Sequence, residues 1–346
     1  MARAVALLSG GLDSTLSVLV MLGQGIDVTA VTFLTHFGCE ITDRSSCSSD
    51  PSSNARRFGF DVKLCHLADK FIEIVKNPKY GRGRNMNPCM DCRVLMLREA
   101  KELMGLIGAD FIITGEVLGQ RPMTQRRETL PFMDRQAGLE GYVLRPLSAR
   151  LLKPTIPELE GIVERERLYA ISGRGRKPQM ALAKELGLTD YPAPAGGCLL
   201  TEPNYSYRLR ELLRRNPEPT VNDLHLLRVG RHFNLTDALL IVGRDKAEND
   251  RLEALALDGD CLLRADCIGT PIGLLRGNPQ EEDILKAASI TVRYSDLREM
   301  PLAPAIVTHG GRADRIEVAP AGEGLIEALR VQKGAGRPWP GRVRVR

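Results

Sequence analysis

Short apolar runs alternate with segments of helical spacing in the first part of the chain. The run 4–8 is apolar throughout, as expected of a buried parallel strand, and further strands are predicted at 28–34, 61–67 and 109–114. Between them, 14–22 and 94–106 carry apolar residues at helical spacing. This alternation predicts an α/β fold: a parallel sheet with flanking helices, in which ligands bind beyond the carboxyl ends of the strands.

The pattern changes near residue 205. Helices are predicted at 207–213, 246–255 and 281–288, and short strands at 238–242, 261–263 and 272–275, with 272–275 as the last strand of the chain. We therefore expect a first domain over 1–204 and a smaller α+β domain over 205–320. The last stretch, 321–346, is rich in Gly, Pro and Arg near its end and predicts a flexible basic tail.

Composition and charge fit a soluble chain with two cores. The chain has 346 residues, 43% of them hydrophobic and 26% charged, and a net charge of +5, which is compatible with a nucleic-acid partner without requiring one. We find no apolar run near the ~20 residues of a membrane helix, and we expect no signal peptide and no membrane partner. Eight cysteines then predict a cytoplasmic location, where metal or catalytic roles are favoured over disulfides.

A glycine-rich turn, Ser-Gly-Gly-Leu-Asp-Ser at 9–14, joins the first predicted strand to the first predicted helix. Its two glycines let backbone N–H groups approach an anion, and the helix N-terminus adds the positive end of its dipole. The hydroxyls of Ser9 and Ser14 can donate to phosphate oxygens, and Asp13 can hold a Mg²⁺ ion that bridges them. The spacing differs from a Walker loop, so we predict another kind of nucleotide phosphate site.

Three cysteines indicate sulfur chemistry. Cys89 and Cys92 lie at or just before a helix N-terminus, where the dipole and backbone amides lower the pKa of a thiol. Cys198 follows two glycines in a distant loop that can fold back over the same site. Three thiolates suit a 4Fe-4S cluster with one open iron, or else Cys198 carries a persulfide that Cys89 or Cys92 resolves. A structural zinc clip and buried free thiols are the alternatives.

The glycine-rich turn resembles the loop of the PP-loop ATP pyrophosphatase superfamily, whose members split ATP into AMP and pyrophosphate while adenylating a carbonyl oxygen. The stretches 114–120 (Thr-Gly-Glu-Val-Leu-Gly-Gln) and 144–147 (Leu-Arg-Pro-Leu) are similar to the ThiI family of tRNA 4-thiouridine sulfurtransferases. The Asn-Pro-Cys-Met-Asp-Cys element at 87–92 also resembles the tRNA 2-thiouridine synthases. We expect neither the THUMP domain of ThiI before the loop nor a rhodanese-like domain after it.

This resemblance implies an adenine nucleotide alpha hydrolase-like fold and assigns roles to named residues. The ATP-binding set is Ser9, Gly10, Gly11, Asp13, Ser14, Thr32, Phe33, Thr114, Gly115 and Gln120. The catalytic set is Asp13, Cys89, Cys92 and Cys198, and the three cysteines are also the expected iron–sulfur ligands.

Two segments of the second domain, 227–233 and 241–249, are similar to the RNA-binding NFACT-R module. Their basic residues predict a surface that follows RNA phosphates without reading bases. These residues are Arg228, Arg231, His232, Arg244 and Lys246.

The combined expectation is an ATP-dependent tRNA sulfurtransferase that adenylates a uridine carbonyl oxygen and replaces it with sulfur, with 4-thiouridine favoured. The cofactors are ATP, Mg²⁺ and a 4Fe-4S cluster, and the partners are tRNA, a sulfur donor (sulfide or a cysteine desulfurase) and a second copy of the chain if it forms a homodimer. Three alternatives stay open: a tRNA 2-thiouridine synthase, a PP-loop enzyme acting on a small-molecule carbonyl, and a non-catalytic RNA-binding protein with a structural zinc.

Overall fold

The computed structural model describes residues 1–38, 51–193 and 198–332. They separate into two compact units, Met1–Thr201 and a second unit that begins at Glu202. In the described ranges, no helix is long and apolar enough to cross a membrane. Cys39, Cys47 and the two glycines before Cys198 lie outside the described residues.

A five-stranded parallel sheet forms the centre of the first unit. Its strands are β1 (Arg3–Leu7), β2 (Asp27–Leu34), β3 (Asp61–His66), β4 (Phe111–Thr114) and β5 (Val143–Leu144), in the order β3-β2-β1-β4-β5. Leu7 pairs with Val31 on one side and with Thr114 on the other. The carboxyl ends of three strands therefore lie side by side, which confirms the predicted parallel sheet.

Helices cover both faces of this sheet. They are α1 (Leu12–Leu22), α2 (Pro51–Phe58), α3 (Ala68–Lys76), α4 (Cys89–Ile107), α5 (Thr129–Gln136), α6 (Ile156–Leu159) and α7 (Lys177–Glu185). Successive residues of a strand point to opposite faces, so Ala4 and Ala6 pack in one apolar cluster, with α1 and α7. Val5 and Leu7 pack in another, with α4 and α5.

The second unit is built on a six-stranded antiparallel sheet. Its strands are β6 (Arg231–Asn234), β7 (Ala238–Val242), β8 (Cys261–Ala265), β9 (Gly273–Gly277), β10 (Ala303–His309) and β11 (Arg312–Val318), in the order β11-β10-β8-β9-β7-β6. Its helices are α8 (Pro203–Arg215), α9 (Val221–Leu226), α10 (Lys246–Leu255), α11 (Glu281–Arg293) and α12 (Glu323–Leu329). The core lies between this sheet and α11, whose Ala287 and Ala288 are fully buried. The expected smaller α+β domain is confirmed.

Two predictions about the second unit are wrong. The strand at 272–275 is not the last, because β10 and β11 follow it, and most of β11 is exposed and polar, so it lacks the apolar alternation by which strands are recognised. The tail does not begin at 321, because α12 starts two residues later and Ile326 is only 2% exposed within the apolar core. Residues 333–346 lie outside the described ranges.

Candidate nucleotide and sulfur site

The glycine-rich turn at 9–14, called the phosphate loop from here on, leaves β1 and ends in the first turn of α1. Gly10 has a φ of 72°, and Gly11 is the extended N-cap of α1 with φ −82° and ψ 164°. The hydroxyl of Ser14 donates to the Gly11 carbonyl at 3.0 Å and accepts from the Ser9 N–H at 3.2 Å. No described side chain caps α1, so its first backbone N–H groups and its dipole can bind an anion.

Asp13 connects this loop to the segment that follows β4. The Gln120 amide donates to Asp13 Oδ2 at 2.9 Å. Asp13 Oδ1 is buried and has no hydrogen-bond partner among the described residues. A carboxylate oxygen without a hydrogen-bond partner, next to a predicted phosphate site, has the chemistry of a Mg²⁺ ligand.

Gly115 allows the end of β4 to lie against the phosphate loop. A Cβ atom at this position would lie 2.5 Å from both the backbone N and the Cα of Ser14. Such contacts are far shorter than van der Waals separations, so only glycine fits without movement of the α1 N-terminus. Gly115 thus supports the predicted nucleotide site by allowing close packing against Ser14.

The other predicted nucleotide residues lie at the same edge of the sheet. The Thr32 hydroxyl donates to the Leu8 carbonyl at 2.8 Å, which ties the end of β2 to the start of the phosphate loop. Phe33 is half-buried and packs with the apolar cluster under α4. The Thr114 hydroxyl donates to Glu116 Oε2 at 3.1 Å. Contact between these residues and a nucleotide stays a prediction.

A buried ionic network, which sequence reasoning missed, supports this edge. Arg145 donates to Glu116 Oε2 at 3.0 Å and to the two carboxylate oxygens of Asp134 at 2.8 Å each. Arg93 Nε lies 3.1 Å from Glu116 Oε1. Burial alone would raise the pKa of Glu116, but the Arg93 and Arg145 guanidinium groups outweigh it and hold this pKa below its ordinary value.

The network joins the start of α4 to the end of β4, since Arg93 directly follows Cys92 and Glu116 directly follows Gly115. One signal in the sequence could have revealed part of it: an arginine directly after a buried strand, as in Leu-Arg-Pro-Leu at 144–147, requires a buried acidic partner. Asp134 carries no comparable signal, because α5 shows no feature that marks an inward carboxylate.

The segment that carries Cys198 folds back onto the residues before α4. The Asn85 amide donates to the Thr201 carbonyl at 2.7 Å, and Met86 N–H donates to the Leu200 carbonyl at 3.1 Å. The Cys198 thiol donates to the Phe37 carbonyl at 3.3 Å. The late cysteine therefore lies beside the start of α4, where Cys89 and Cys92 occupy the first turn.

The Cys92 thiol interacts electrostatically with both other cysteines of the predicted trio. Burial raises the pKa of Cys89, and it raises the pKa of Cys92 to about 12, with further contributions from Cys198 and Cys89. The predicted lowering of these pKa values is wrong, because desolvation outweighs the lowering effects of a backbone hydrogen bond on Cys89 and of Arg93 on both thiols. That the three cysteines act together in one site stays a prediction.

The prediction that the three cysteines bind an iron–sulfur cluster finds no support in the geometry of the described residues. Across the described ranges, no group of three or more His, Cys, Asp or Glu side chains is arranged to hold a metal ion. The three thiols have the donor chemistry of an iron–sulfur site without its coordination geometry. The cluster therefore stays a prediction.

The predicted RNA-binding residues of the second unit differ in how accessible their charges are. Arg228 and Arg231 are half-buried, and the Arg231 guanidinium lies 4.6 Å from the centre of the Tyr294 ring. Arg244 is exposed and pairs with Glu248. Lys246 is exposed and forms no ion pair with a described residue.

His232 does not belong to this surface. Its side chain is 2% exposed, and its Nε2 lies 2.9 Å from the Val229 carbonyl. Burial, followed by the Arg208 charge, holds the pKa of His232 well below its ordinary value. Its prediction as a phosphate ligand is wrong.

Sequence comparison relates this chain to known tRNA-modifying proteins. Residues 1–156 match the family model described as "Thiamine biosynthesis protein (ThiI)". A "tRNA-specific 2-thiouridylase MnmA" from Herpetosiphon aurantiacus is 30% identical over 260 residues, which are 68% of this chain and 66% of the relative. Over these residues the chain is similar in sequence to the PP-loop tRNA thiolases.

Other matches describe how far the likeness to PP-loop thiolases extends. The "Bifunctional protein NifU/MnmA" of Rubrobacter xylanophilus is 33% identical over 44% of this chain and 32% of its own length. This chain thus spans about two thirds and one third of the two curated relatives. Residues 230–329, outside the PP-loop unit, match the model of the "NFACT protein RNA binding domain". The solved "4-thiouridine synthetase - RNA complex with bound ATP" shares 20% identity at a TM-score of 0.33, over 54% of this chain and 52% of that chain.

Proposed function

We propose that this chain is an ATP-dependent tRNA thiolase that replaces one uridine carbonyl oxygen with sulfur. The observation that carries the proposal is the link between the two halves of the site. Cys92 is followed by Arg93, which pairs with Glu116, and Glu116 follows the glycine that lies against Ser14 of the phosphate loop. Cys92, a proposed resolving thiol, and the proposed phosphate site are thereby joined by one ionic network.

The first half-reaction uses the phosphate loop. The uridine carbonyl oxygen attacks the α-phosphorus of ATP, the bond to the β-phosphate oxygen breaks, and pyrophosphate leaves. The loop amides and the α1 N-terminus stabilise the developing negative charge. Bound Mg²⁺ would supply charge neutralisation on the phosphates, with Asp13 as its protein ligand. The product is uridine adenylated on oxygen.

The second half-reaction uses the cysteines. The terminal sulfur of a Cys198 persulfide, loaded by a sulfur donor, attacks the activated carbon, and the carbon–oxygen bond breaks to release AMP. A thiolate of Cys89 or Cys92 then attacks the Cys198 sulfur, which breaks the S–S bond, frees the thiouridine and leaves a protein disulfide. A dithiol reductant must restore the thiols before the next turnover.

The position modified is proposed from the relatives. The curated relatives described above carry the names 2-thiouridylase and NifU/MnmA, whereas the matched family model carries the ThiI name. We favour 2-thiouridine over the 4-thiouridine expected from the sequence. The RNA would bind through the second unit, in the cytoplasm, where thiols remain reduced.

Nucleoside mass spectrometry tests this function. Purified protein is incubated with ATP, unmodified tRNA, and cysteine with a cysteine desulfurase, and the digested tRNA is analysed for both thiouridines. We expect 2-thiouridine together with one AMP per sulfur. AMP formation without thiolated tRNA, or thiolation of a small carbonyl compound alone, would contradict the proposal. A brown protein after anaerobic purification would favour the iron–sulfur cluster over the persulfide.

A further inference from the structure

A basic segment at 174–177 (Arg-Gly-Arg-Lys), between the bridge at Ser172 and helix α7, has no role in the mechanism above. Its position is fixed by backbone contacts with the segment after β4. Leu118 forms a parallel bridge with Ser172, and Gly173 N–H donates to the Leu118 carbonyl at 2.7 Å. Two residues beyond Leu118, Gln120 holds Asp13 of the phosphate loop. The basic segment thus begins beside the predicted nucleotide site.

The charges of this segment are uncompensated. Arg174 and Lys177 are exposed and Arg176 is half-buried, and none of the three forms an ion pair with a residue that the structure describes. The arginines just before it are different, because Arg165 pairs with Glu158 and Arg167 pairs with Glu164. Three neighbouring cations without acidic partners repel one another, and this arrangement is stable at low cost only in water or against an anion.

The start of α7 adds to the positive potential. The helix is nine residues long and has no acidic residue in its first turn, so its dipole is not neutralised there. Gln179 lies in that first turn, is 0% exposed, and neither atom of its amide has a partner among the described residues. Buried amides are normally hydrogen-bonded, so an ordered water at the start of α7 would satisfy this one.

We infer that Arg174, Arg176 and Lys177 form a second phosphate-binding element for the pyrophosphate end of ATP and for the pyrophosphate released. The inference rests on the proposed function, which supplies the triphosphate. Guanidinium groups bind phosphate oxygens in pairs, and lysine acts as a point charge. The open space around Gly175, where no atom lies within 4 Å of a Cβ position, leaves this backbone accessible to the anion.

Calorimetric titration with inorganic pyrophosphate and with Mg²⁺-ATP tests the inference. The double variant R174Q/R176Q should raise the Kd for pyrophosphate by about tenfold, the ratio given by ~1.4 kcal/mol, and K177Q by less. The matched control is K63Q/K184Q, which removes two exposed lysines of the same unit, one of them at the far end of α7. The control should leave the Kd within about twofold. The variant R174K/R176K should recover part of the affinity.

The arms of the experiment separate three outcomes. Equal pyrophosphate affinity in R174Q/R176Q and the control would overturn the inference and leave the proposed function standing. Loss of tRNA retention at unchanged pyrophosphate affinity would also overturn it, and would assign the cations to RNA phosphates. If the unmodified chain binds neither ATP nor pyrophosphate, the proposed function fails together with the inference.

Discussion

The two units use charged side chains in different ways. In the first unit, the ionic network of Glu116, Arg145 and Asp134 is buried, while the carboxylate of Asp13 and the basic segment 174–177 keep unused bonding capacity at one edge of the sheet. In the second unit, several of the basic residues already have acidic partners. Arg276, for example, binds Asp260 at 2.6 Å and Asp223 at 2.9 Å.

Strand direction explains this difference. In a parallel sheet all carboxyl ends lie at one edge, so loops from distant parts of the chain meet there. In an antiparallel sheet these ends alternate between both edges. The first unit therefore concentrates its reactive groups at one place, whereas the second presents charges along a surface. Single substitutions should therefore have large effects on activity or stability in the first unit. In the second unit, their effects on RNA binding should be small and additive.

The largest expected effect comes from Cys198. Cys198→Ala should lower tRNA thiolation more than about a thousandfold, because it removes the proposed sulfur carrier. Adenylation does not need this thiol, so ATP binding and tRNA-dependent pyrophosphate release should persist. Thiolation is measured by nucleoside mass spectrometry and pyrophosphate by a coupled assay.

The control for this substitution is Cys267→Ala, which removes a half-buried thiol from the second unit and should leave thiolation unchanged. Full activity in Cys198→Ala would exclude this residue from the mechanism. Loss of ATP binding in the same variant would show that the thiol supports the fold and would weaken its assignment as a sulfur carrier.

The next effect concerns Glu116. Glu116→Gln leaves Arg93 and Arg145 without their shared carboxylate, and loss of one partner of a buried ion pair costs about 3 kcal/mol or more of unfolding free energy. The control is Glu140→Gln, which breaks an exposed pair with Arg135 at 3.8 Å and should cost below about 1 kcal/mol. Denaturant unfolding measures both. Equal losses would show that the network adds nothing beyond a surface pair.

The same variant has a defined pH dependence. The pKa of Glu116 in the folded chain lies below the ordinary value of 4.5, so its stabilising contribution is present above that value and is lost as the pH falls through the folded pKa. The stability gap between the unmodified chain and Glu116→Gln should therefore shrink in acid. A gap that stays constant from pH 7 to pH 3 would contradict the lowered pKa.

The fold of the first unit was largely predictable, and the direction of the thiol pKa values was not. Apolar runs at 4–8 and 28–34 mark β1 and β2 because parallel strands are buried on both faces. The pKa of Cys92 depends on desolvation by residues distant in sequence, which no local pattern records. The burial of His232 likewise depends on distant residues, whereas β11 was missed because it is mostly exposed and polar.

A smaller effect is expected at Gly115. Gly115→Ala places a methyl group 2.5 Å from the Ser14 backbone, so α1 must shift, at a cost of about 1–3 kcal/mol, and ATP affinity should fall about tenfold or more. Gly105→Ala in α4 is the control, because no atom lies within 4 Å of its Cβ position, and alanine stabilises a helix interior by roughly 0.5–1 kcal/mol. Unaltered ATP affinity in Gly115→Ala would dissociate the β4 end from the nucleotide site.

The smallest effects are expected in the second unit, where Lys246 and Arg244 form a useful pair of variants. Both are exposed and lie two residues apart, but Arg244 pairs with Glu248, whereas Lys246 has no ionic partner among the described residues. If the surface follows RNA phosphates, Lys246→Gln should weaken tRNA binding a few-fold and reduce the slope of log affinity against log salt by about one.

Arg244→Gln should change that slope less, because Glu248 already neutralises the guanidinium, and an exposed pair of this kind contributes only about 0.3–0.5 kcal/mol to stability. Filter binding over a series of salt concentrations measures both variants. Equal slopes would show that the Glu248 pair opens when RNA binds. If neither variant alters the slope, the phosphate-binding surface lies elsewhere, and the contrast between a reactive edge and a distributed surface no longer holds.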